Sequence, residues 1–196
     1  MSLTFANKIT VCRILAVPFV IGTILYYSPV RENLRYAALG IFLFAVISDV
    51  VDGYIARIRH QKTPAGKVLD PLADKFLLIS SFICLYSVRG RLPDMQFPLW
   101  LIVIVISRDT ILIMGALMLH VLYHRLPMES TRWGKASTFF QVLTVIGMLL
   151  QWQPSRVLWY VAAFFTVISG IDYIRQGIKW INVLDNKPGS DPEAVL

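Results

Sequence analysis

Residues 49–75 read DVVDGYIARIRHQKTPAGKVLDPLADK and place four aspartates next to apolar segments. Asp49 and Asp52 are three residues apart, and Asp70 and Asp74 are four apart. If each pair lies on a helix, its two carboxylates share one face. An ionised carboxylate at the centre of a bilayer costs at least ~2.5–3.5 kcal/mol on insertion scales, so four of them close together require counter-charges. The stretch therefore predicts two helices joined by a loop, with a cation site between them.

The rest of the chain is strongly apolar. Of its 196 residues 56% are hydrophobic, and the mean hydropathy is +0.62, whereas soluble domains are only ~45–50% apolar. Six segments are long and apolar enough to cross a membrane: 8–27, 34–56, 70–88, 97–122, 136–152 and 156–180. We predict an all-α integral membrane protein of six transmembrane helices. Residues 1–184 would form the catalytic domain, and the polar tail 185–196 would be disordered.

Basic residues predict the orientation of these spans. With six spans both termini lie on one side, where the loops and flanks carry twelve Lys and Arg residues against five on the other side. The positive-inside rule then places the termini and the 49–75 region in the cytoplasm. Basic loops near anionic headgroups also explain the net charge of +7 without nucleic acid as a partner. The first apolar segment has no A-x-A-like cleavage site and no transit-peptide character, which favours a bacterial inner membrane.

The carboxylates indicate the kind of cation. A turn at Pro64–Gly66 would let the second and third helices return antiparallel, so that the two aspartate pairs meet in a polar cavity open to the cytoplasm. All donors are oxygen atoms and no His or Cys lies in the cluster, which favours Mg²⁺ or Mn²⁺ over zinc. Two divalent cations would balance four carboxylates.

Other residues of the stretch suit a phosphate ligand. Gly53, Ala56 and Gly66 would leave space beside the helix backbones, and Arg57 offers a bidentate fork for phosphoryl oxygens. Metal ions and an arginine beside a hydroxyl nucleophile are the usual components of phosphoryl transfer. A metal or proton transporter is the alternative, because acidic residues in membranes also line ion pathways. The aspartates cluster at one end of the helices, however, and do not follow a path across the membrane.

The pattern D-x2-D-G-x2-A-R-x8-G-x3-D-x3-D resembles the signature of the CDP-alcohol phosphotransferase family. The chain matches it at eight positions, namely Asp49, Asp52, Gly53, Ala56, Arg57, Gly66, Asp70 and Asp74. The similarity runs from NKITVCR at residues 7–13 to SGIDYI at residues 169–174. It implies a six-helix membrane fold, usually a homodimer. It also implies an enzyme that moves a phosphatidyl group from CDP-diacylglycerol to an alcohol and releases CMP.

The same resemblance assigns roles to individual residues. The first three aspartates would bind the metals, and Asp74 would be both a ligand and the general base, for which it is placed as the outermost acid of its pair. Contacts to CDP-diacylglycerol would come from the N-terminal segment and the motif region: Asn7, Thr10, Gly53, Ala56, Arg57, Thr63 and Gly66.

Two further polar sites interrupt apolar segments and bear on the acceptor alcohol. Arg108 and Lys135 would clamp an anionic acceptor, although Arg108 and the adjacent Asp109 could simply neutralise each other. The pattern GK-x2-T-x2-Q at residues 134–141 is similar to family members that use sn-glycerol 3-phosphate. Those members often have Arg-Glu at the position of Arg108-Asp109, and Arg-Asp is more like the CMP-forming cardiolipin synthases, which use phosphatidylglycerol. Glycerol 3-phosphate is the predicted acceptor and phosphatidylglycerol the alternative.

Overall fold

The computed structural model describes residues 5–58, 64–92, 97–123 and 131–185. Within these ranges the chain is helical and contains no strand, which confirms the prediction of an all-α protein with six helices in the expected order. The helices are α1 (Phe5–Leu25), α2 (Glu32–Ile58), α3 (Pro64–Ser87), α4 (Leu99–Tyr123), α5 (Arg132–Leu149) and α6 (Ser155–Asp185). A single 3₁₀ turn, Arg89–Arg91, follows α3.

One predicted boundary is wrong. Helix α3 begins at Pro64 and not at residue 70, so Pro64–Gly66 form its first turn rather than a loop. Proline suits the first position of a helix because its fixed φ is already helical and its missing N–H would have no partner there. Helix α6 continues to Asp185, the first residue of the predicted tail. The remainder of that tail, residues 186–196, lies outside the described residues.

The helices pack into one bundle around a shared apolar core. Helix α1 packs against both α2 and α3, α6 packs against α4 and α5, and α3 also contacts α4 and α5. Every helix contributes fully buried side chains to this core, including Val20, Phe42, Phe82, Leu101, Met148 and Ala162. Helix α3 is therefore held between α1 on one side and the α4–α6 group on the other.

The surface of the bundle is apolar on all six helices. Large apolar side chains are 59–65% exposed at Phe19, Phe44, Phe76, Met114, Phe139 and Phe164. Charged residues such as Arg13, Arg108 and Asp109 are buried instead. Exposed apolar side chains in this number are typical of a surface that contacts a membrane or a partner protein. Among the described residues, Ser155–Lys179 is the one helix that meets the length and hydropathy expected of a membrane span, and Arg13–Leu25 is a shorter apolar helix. The crossing of a membrane by all six helices therefore stays a prediction.

A hydrogen-bonded network and a close backbone approach join α5 to α6. Gln141 Nε2 donates to Ser137 Oγ at 3.2 Å and to Thr166 Oγ1 at 3.1 Å, and the two hydroxyls lie 2.9 Å apart. Polar side chains of this kind hold helices together in an apolar solvent. A Cβ added at Gly147 would lie 2.9 Å from Ser155 Cβ, so the absence of a side chain lets α6 begin close to α5. Helices α5 and α6 are therefore closely packed beside the polar residues described next.

Candidate active site

The aspartate motif lies where α2 ends and α3 begins. Asp49 and Asp52 belong to the last part of α2, and Asp70 and Asp74 to the first part of α3. Five residues, 59–63, connect the two helices, so these two ends must lie close together because each residue spans at most about 3.6 Å. Most of the predicted site residues have side chains that lie outside the described part of the structure: Asn7, Thr10, Asp49, Asp52, Gly53, Ala56, Arg57, Gly66 and Asp70. Thr63 lies outside it entirely.

Asp74 is described, and a buried arginine holds it. Arg13 Nη1 donates a hydrogen bond to Asp74 Oδ1 at 2.6 Å. The Arg13 side chain is 2% exposed, whereas 33% of the Asp74 side chain is accessible. The ion pair thus links α1 to α3 and leaves part of the Asp74 side chain accessible. Sequence reasoning did not assign this role to Arg13, although the residue closes the segment NKITVCR.

The next residue, Lys75, bonds to a different helix. Lys75 Nζ donates to Asp109 Oδ1 of α4 at 2.5 Å, and Arg108 Nη1 donates to the same oxygen at 2.8 Å. Asp109 is 1% exposed, so its carboxylate is shared between two cations in the interior of the bundle. We call Lys75, Arg108, Asp109 and Ser169 the Asp109 cluster.

Helices α5 and α6 complete the surroundings of Arg108. Arg108 Nη2 donates to Ser169 Oγ at 2.5 Å. A Cβ added at Gly134 would lie 3.2 Å from Nη2, so this glycine allows the α5 backbone to approach the guanidinium. Gly170 of α6 lies beside the stem of the same side chain, where an added Cβ would make an ordinary contact 3.6 Å from Arg108 Cγ. The segments GK and SGIDYI, which are far apart in sequence, therefore meet at Arg108. Both segments stand out in the sequence, but their contact is not predictable from it.

The predicted acceptor residues are close in the fold but differ in exposure. Lys135 lies in the first turn of α5, directly after Gly134, and its side chain is exposed. Arg108 is 7% exposed and bonded to Asp109, so the pair that the sequence offered as an alternative does form. Two cations share one carboxylate, which leaves the Asp109 cluster with one net positive charge. Arg108 Nε and Asp109 Oδ2 are buried atoms with no hydrogen-bond partner among the described residues.

Sequence comparisons agree with the motif. The family model described as CDP-alcohol phosphatidyltransferase matches residues 3–168. A CDP-diacylglycerol–glycerol-3-phosphate 3-phosphatidyltransferase of Bacillus subtilis is 34% identical over 190 residues, covering 87% of this chain and 93% of the relative. The protein of the same name from Haemophilus influenzae is 29% identical over 186 residues, covering 91% and 94%. A CMP-forming cardiolipin synthase of Rattus norvegicus is 31% identical over 209 residues, covering 94% of this chain and 65% of the relative.

The family model covers far more than half of the chain, and the Bacillus subtilis relative is matched over nearly its full length. The resemblance drawn from the aspartate motif is therefore confirmed: the chain belongs to the CDP-alcohol phosphatidyltransferase family.

Proposed function

We propose that this protein transfers the phosphatidyl group of CDP-diacylglycerol to sn-glycerol 3-phosphate, giving phosphatidylglycerophosphate and CMP. The Bacillus subtilis and Haemophilus influenzae relatives are named for this reaction and align with most of the chain. The structural observation that carries the proposal is the juxtaposition of Asp74 and Lys75. An accessible carboxylate held by Arg13 directly precedes a residue of the positively charged Asp109 cluster. In the proposed reaction, the base and part of a cationic region for an anionic acceptor would thus come from consecutive residues of α3.

The reaction is a displacement at the β-phosphorus of CDP-diacylglycerol. Asp74 takes the proton from the acceptor hydroxyl as its oxygen bonds to phosphorus, and the phosphorus–oxygen bond to CMP breaks. Arg13 keeps the Asp74 carboxylate in place while its other contacts change. Arg57 would offset the charge that develops on the departing CMP. The remaining CDP contacts would be those expected from the motif, with Asn7, Thr10 and Thr63 at the nucleotide.

The four aspartates would hold two divalent cations, Mg²⁺ or Mn²⁺. The donor set fits such ions because it consists of carboxylate oxygens alone. Asp74 fits as well, since a third of its side chain is accessible although Oδ1 accepts a bond from Arg13. When bound, the cations would offset the negative charge of the pyrophosphate group and orient it.

The acceptor phosphate would bind at the start of α5. Lys135 is exposed there, and Gly134 brings the backbone of the same turn to Arg108. The positive end of the α5 dipole adds to the attraction for an anion. Lys135 would contact the acceptor phosphate directly. Arg108 lies on the other side of the Gly134 backbone and would attract the phosphate by its positive charge. Phosphatidylglycerol is the second candidate acceptor, favoured by the Arg108-Asp109 pair and by the Rattus norvegicus relative.

We propose further that all six helices cross the membrane, with the aspartates at the cytoplasmic face of a bacterial inner membrane. The apolar exterior of every helix supports this topology. A homodimer is expected from the family alone. In a variant without Cys12 and Cys84, a cysteine introduced at Gln61 should react with an impermeant reagent only after the cells are opened. Labelling in intact cells would reverse the orientation.

Activity is tested by CMP release from CDP-diacylglycerol by the purified protein. Release should require glycerol 3-phosphate, stop with a chelator, and resume when Mg²⁺ or Mn²⁺ is restored. Faster release with phosphatidylglycerol would make the protein a cardiolipin synthase. The absence of CMP release with every alcohol, together with metal or proton flux in liposomes, would favour the transporter alternative.

A further inference from the structure

The Asp109 carboxylate is the meeting point of two elements of the proposed site. Its Oδ1 atom accepts a hydrogen bond from Lys75 of α3 at 2.5 Å and from Arg108 of its own helix at 2.8 Å. Asp109 is 1% exposed, so its carboxylate is buried among the described residues. Its two hydrogen-bond partners lie closer to the proposed site: Lys75 directly follows Asp74, the proposed base, and Arg108 belongs to the proposed acceptor region. Any role of Asp109 in the reaction must therefore be exerted through them.

The first partner controls how α3 is oriented. Consecutive residues of an α-helix point about 100° apart, since a turn takes 3.6 residues. Asp74 is bonded to Arg13 of α1, and Lys75 is bonded to Asp109 of α4. Two ion pairs to two different helices fix the rotation of this part of α3 about its axis. Loss of the Lys75 bond would remove one of these two constraints on α3.

The second partner belongs to the acceptor region. Arg108 is held at Nη1 by Asp109 and at Nη2 by Ser169, and it packs beside Gly134, the neighbour of Lys135. Side chains that bind ligands are commonly oriented by a carboxylate behind them, and removal of that carboxylate weakens the function of the oriented group. Here the Asp109 carboxylate binds both Lys75, which is next to the proposed base, and Arg108, which lies in the proposed acceptor region.

We propose that Asp109 is a positioning residue that orients Arg108 toward the acceptor phosphate and, through Lys75, sets the rotation of the α3 segment that carries Asp74. This inference rests on the proposed function, because it assigns Asp109 to the acceptor and base sides of that reaction. Asp109 neither contacts the substrate nor takes part in proton transfer. Its negative charge offsets the repulsion between the two cations and holds both of them at one carboxylate oxygen.

Four variants test this role. Asp109→Asn keeps the shape but removes the charge, and Asp109→Glu keeps the charge. Lys75→Met removes one partner and leaves the Arg108–Asp109 bond intact. Thr166→Val is the matched control, because it removes buried hydrogen bonds between α5 and α6 without touching the cluster. For each variant the measurements are thermal stability, kcat, and separate KM values for glycerol 3-phosphate and CDP-diacylglycerol.

Asp109→Asn should raise the KM for glycerol 3-phosphate and lower kcat, each by roughly 10- to 100-fold, the usual loss when an orienting partner is removed. The KM for CDP-diacylglycerol should stay within about twofold, because the cluster is not part of the proposed nucleotide contacts. Lys75→Met should lower kcat alone by at least about tenfold, since Arg108 keeps its carboxylate. Asp109→Glu should recover most of the KM effect.

The outcomes separate the two levels of the hypothesis. If the wild-type protein releases no CMP with glycerol 3-phosphate, the proposed function fails, whatever the variants do. If the wild-type protein is active and Asp109→Asn has the same constants, the positioning role is overturned. Equal losses in Thr166→Val and Asp109→Asn would also overturn it, because they would show a general loss of structure. Should Asp109→Asn fail to fold, an unchanged kcat in Lys75→Met is sufficient to reject the proposal.

Discussion

Replacing Arg13 by methionine tests whether the ion pair to Asp74 matters for turnover. Methionine fills much of the same buried volume but leaves Asp74 without the guanidinium that now lies 2.6 Å from Oδ1. The carboxylate would then adopt other rotamers and would be aligned with the acceptor hydroxyl for less of the time. The effect should fall on kcat, because Arg13 is buried and, in the proposed reaction, acts on the substrate only through Asp74.

The size of the effect follows from the contact. A hydrogen bond to a charged group contributes about 1.5–3 kcal/mol. Breaking a fully buried pair would cost more, but 33% of the Asp74 side chain is exposed and water screens the charge that remains. At about 1.4 kcal/mol for each factor of ten, kcat should fall roughly 10- to 150-fold. Arg13→Lys retains the charge without the planar fork and should lie between the wild type and Arg13→Met.

The assay is CMP release at saturating concentrations of both substrates, with thermal unfolding measured on the same preparations. Arg35→Met is the matched control, because Arg35 is also a buried arginine, 6% exposed, but its nearest carboxylate is the exposed Glu32 at 3.6 Å. It should keep nearly the full kcat even if it is less stable. A folded Arg13→Met protein with turnover within about twofold of the wild type would refute the reasoning, since Asp74 would then need no guanidinium partner.

Three further predictions concern the base, the acceptor cation and the packing. Asp74→Asn should lower kcat by at least about 100-fold in the CMP-release assay, and near-normal turnover would remove Asp74 from the role of base. Lys135→Ala should raise the KM for glycerol 3-phosphate by about tenfold or more, as expected for a lost bond to a charged group, without changing that for CDP-diacylglycerol. Gly147→Ala should lower the free energy of unfolding by about 1–3 kcal/mol because its Cβ would meet Ser155 at 2.9 Å. Gly40→Ala, with nothing within 4 Å, should leave the melting temperature equal or higher, and equal losses at both positions would contradict the packing argument.

The positions of the helices could be predicted from the sequence because long apolar segments separated by turn residues have few alternatives. The start of α3 is not predictable in this way, because proline is typical both of a break between helices and of a first helical position, which Pro64 occupies. A proline between two apolar segments is compatible with both interpretations, and the local sequence does not separate them.

The contacts of the candidate site were much harder to predict than its residues. Arg13 and Asp74 are 61 residues apart, and Lys75 and Asp109 are 34 apart. Pairing at such distances depends on which face each helix turns inward, and α1 and α5 have almost no preferred apolar face from which to deduce it. A lipid-facing side chain and a core side chain can both be apolar. The sequence therefore identified Asp74 and Arg108 as functional candidates but gave no sign of the partners that hold them.

The choice of acceptor is the final consequence of the charge arrangement. The Asp109 cluster contains two cations and one carboxylate in the interior, and Lys135 adds a third cation nearby. A dianionic phosphate offsets this surplus, whereas glycerol, inositol and serine bring no net negative charge, and the phosphodiester of phosphatidylglycerol brings one. With CDP-diacylglycerol fixed, kcat/KM should therefore decrease from glycerol 3-phosphate to phosphatidylglycerol and be lowest for glycerol. Lys135→Ala should reduce the preference for glycerol 3-phosphate over glycerol, because that preference depends on charge. If phosphatidylglycerol were instead the best acceptor and Lys135→Ala left the ranking unchanged, surplus charge would not be the basis of acceptor choice.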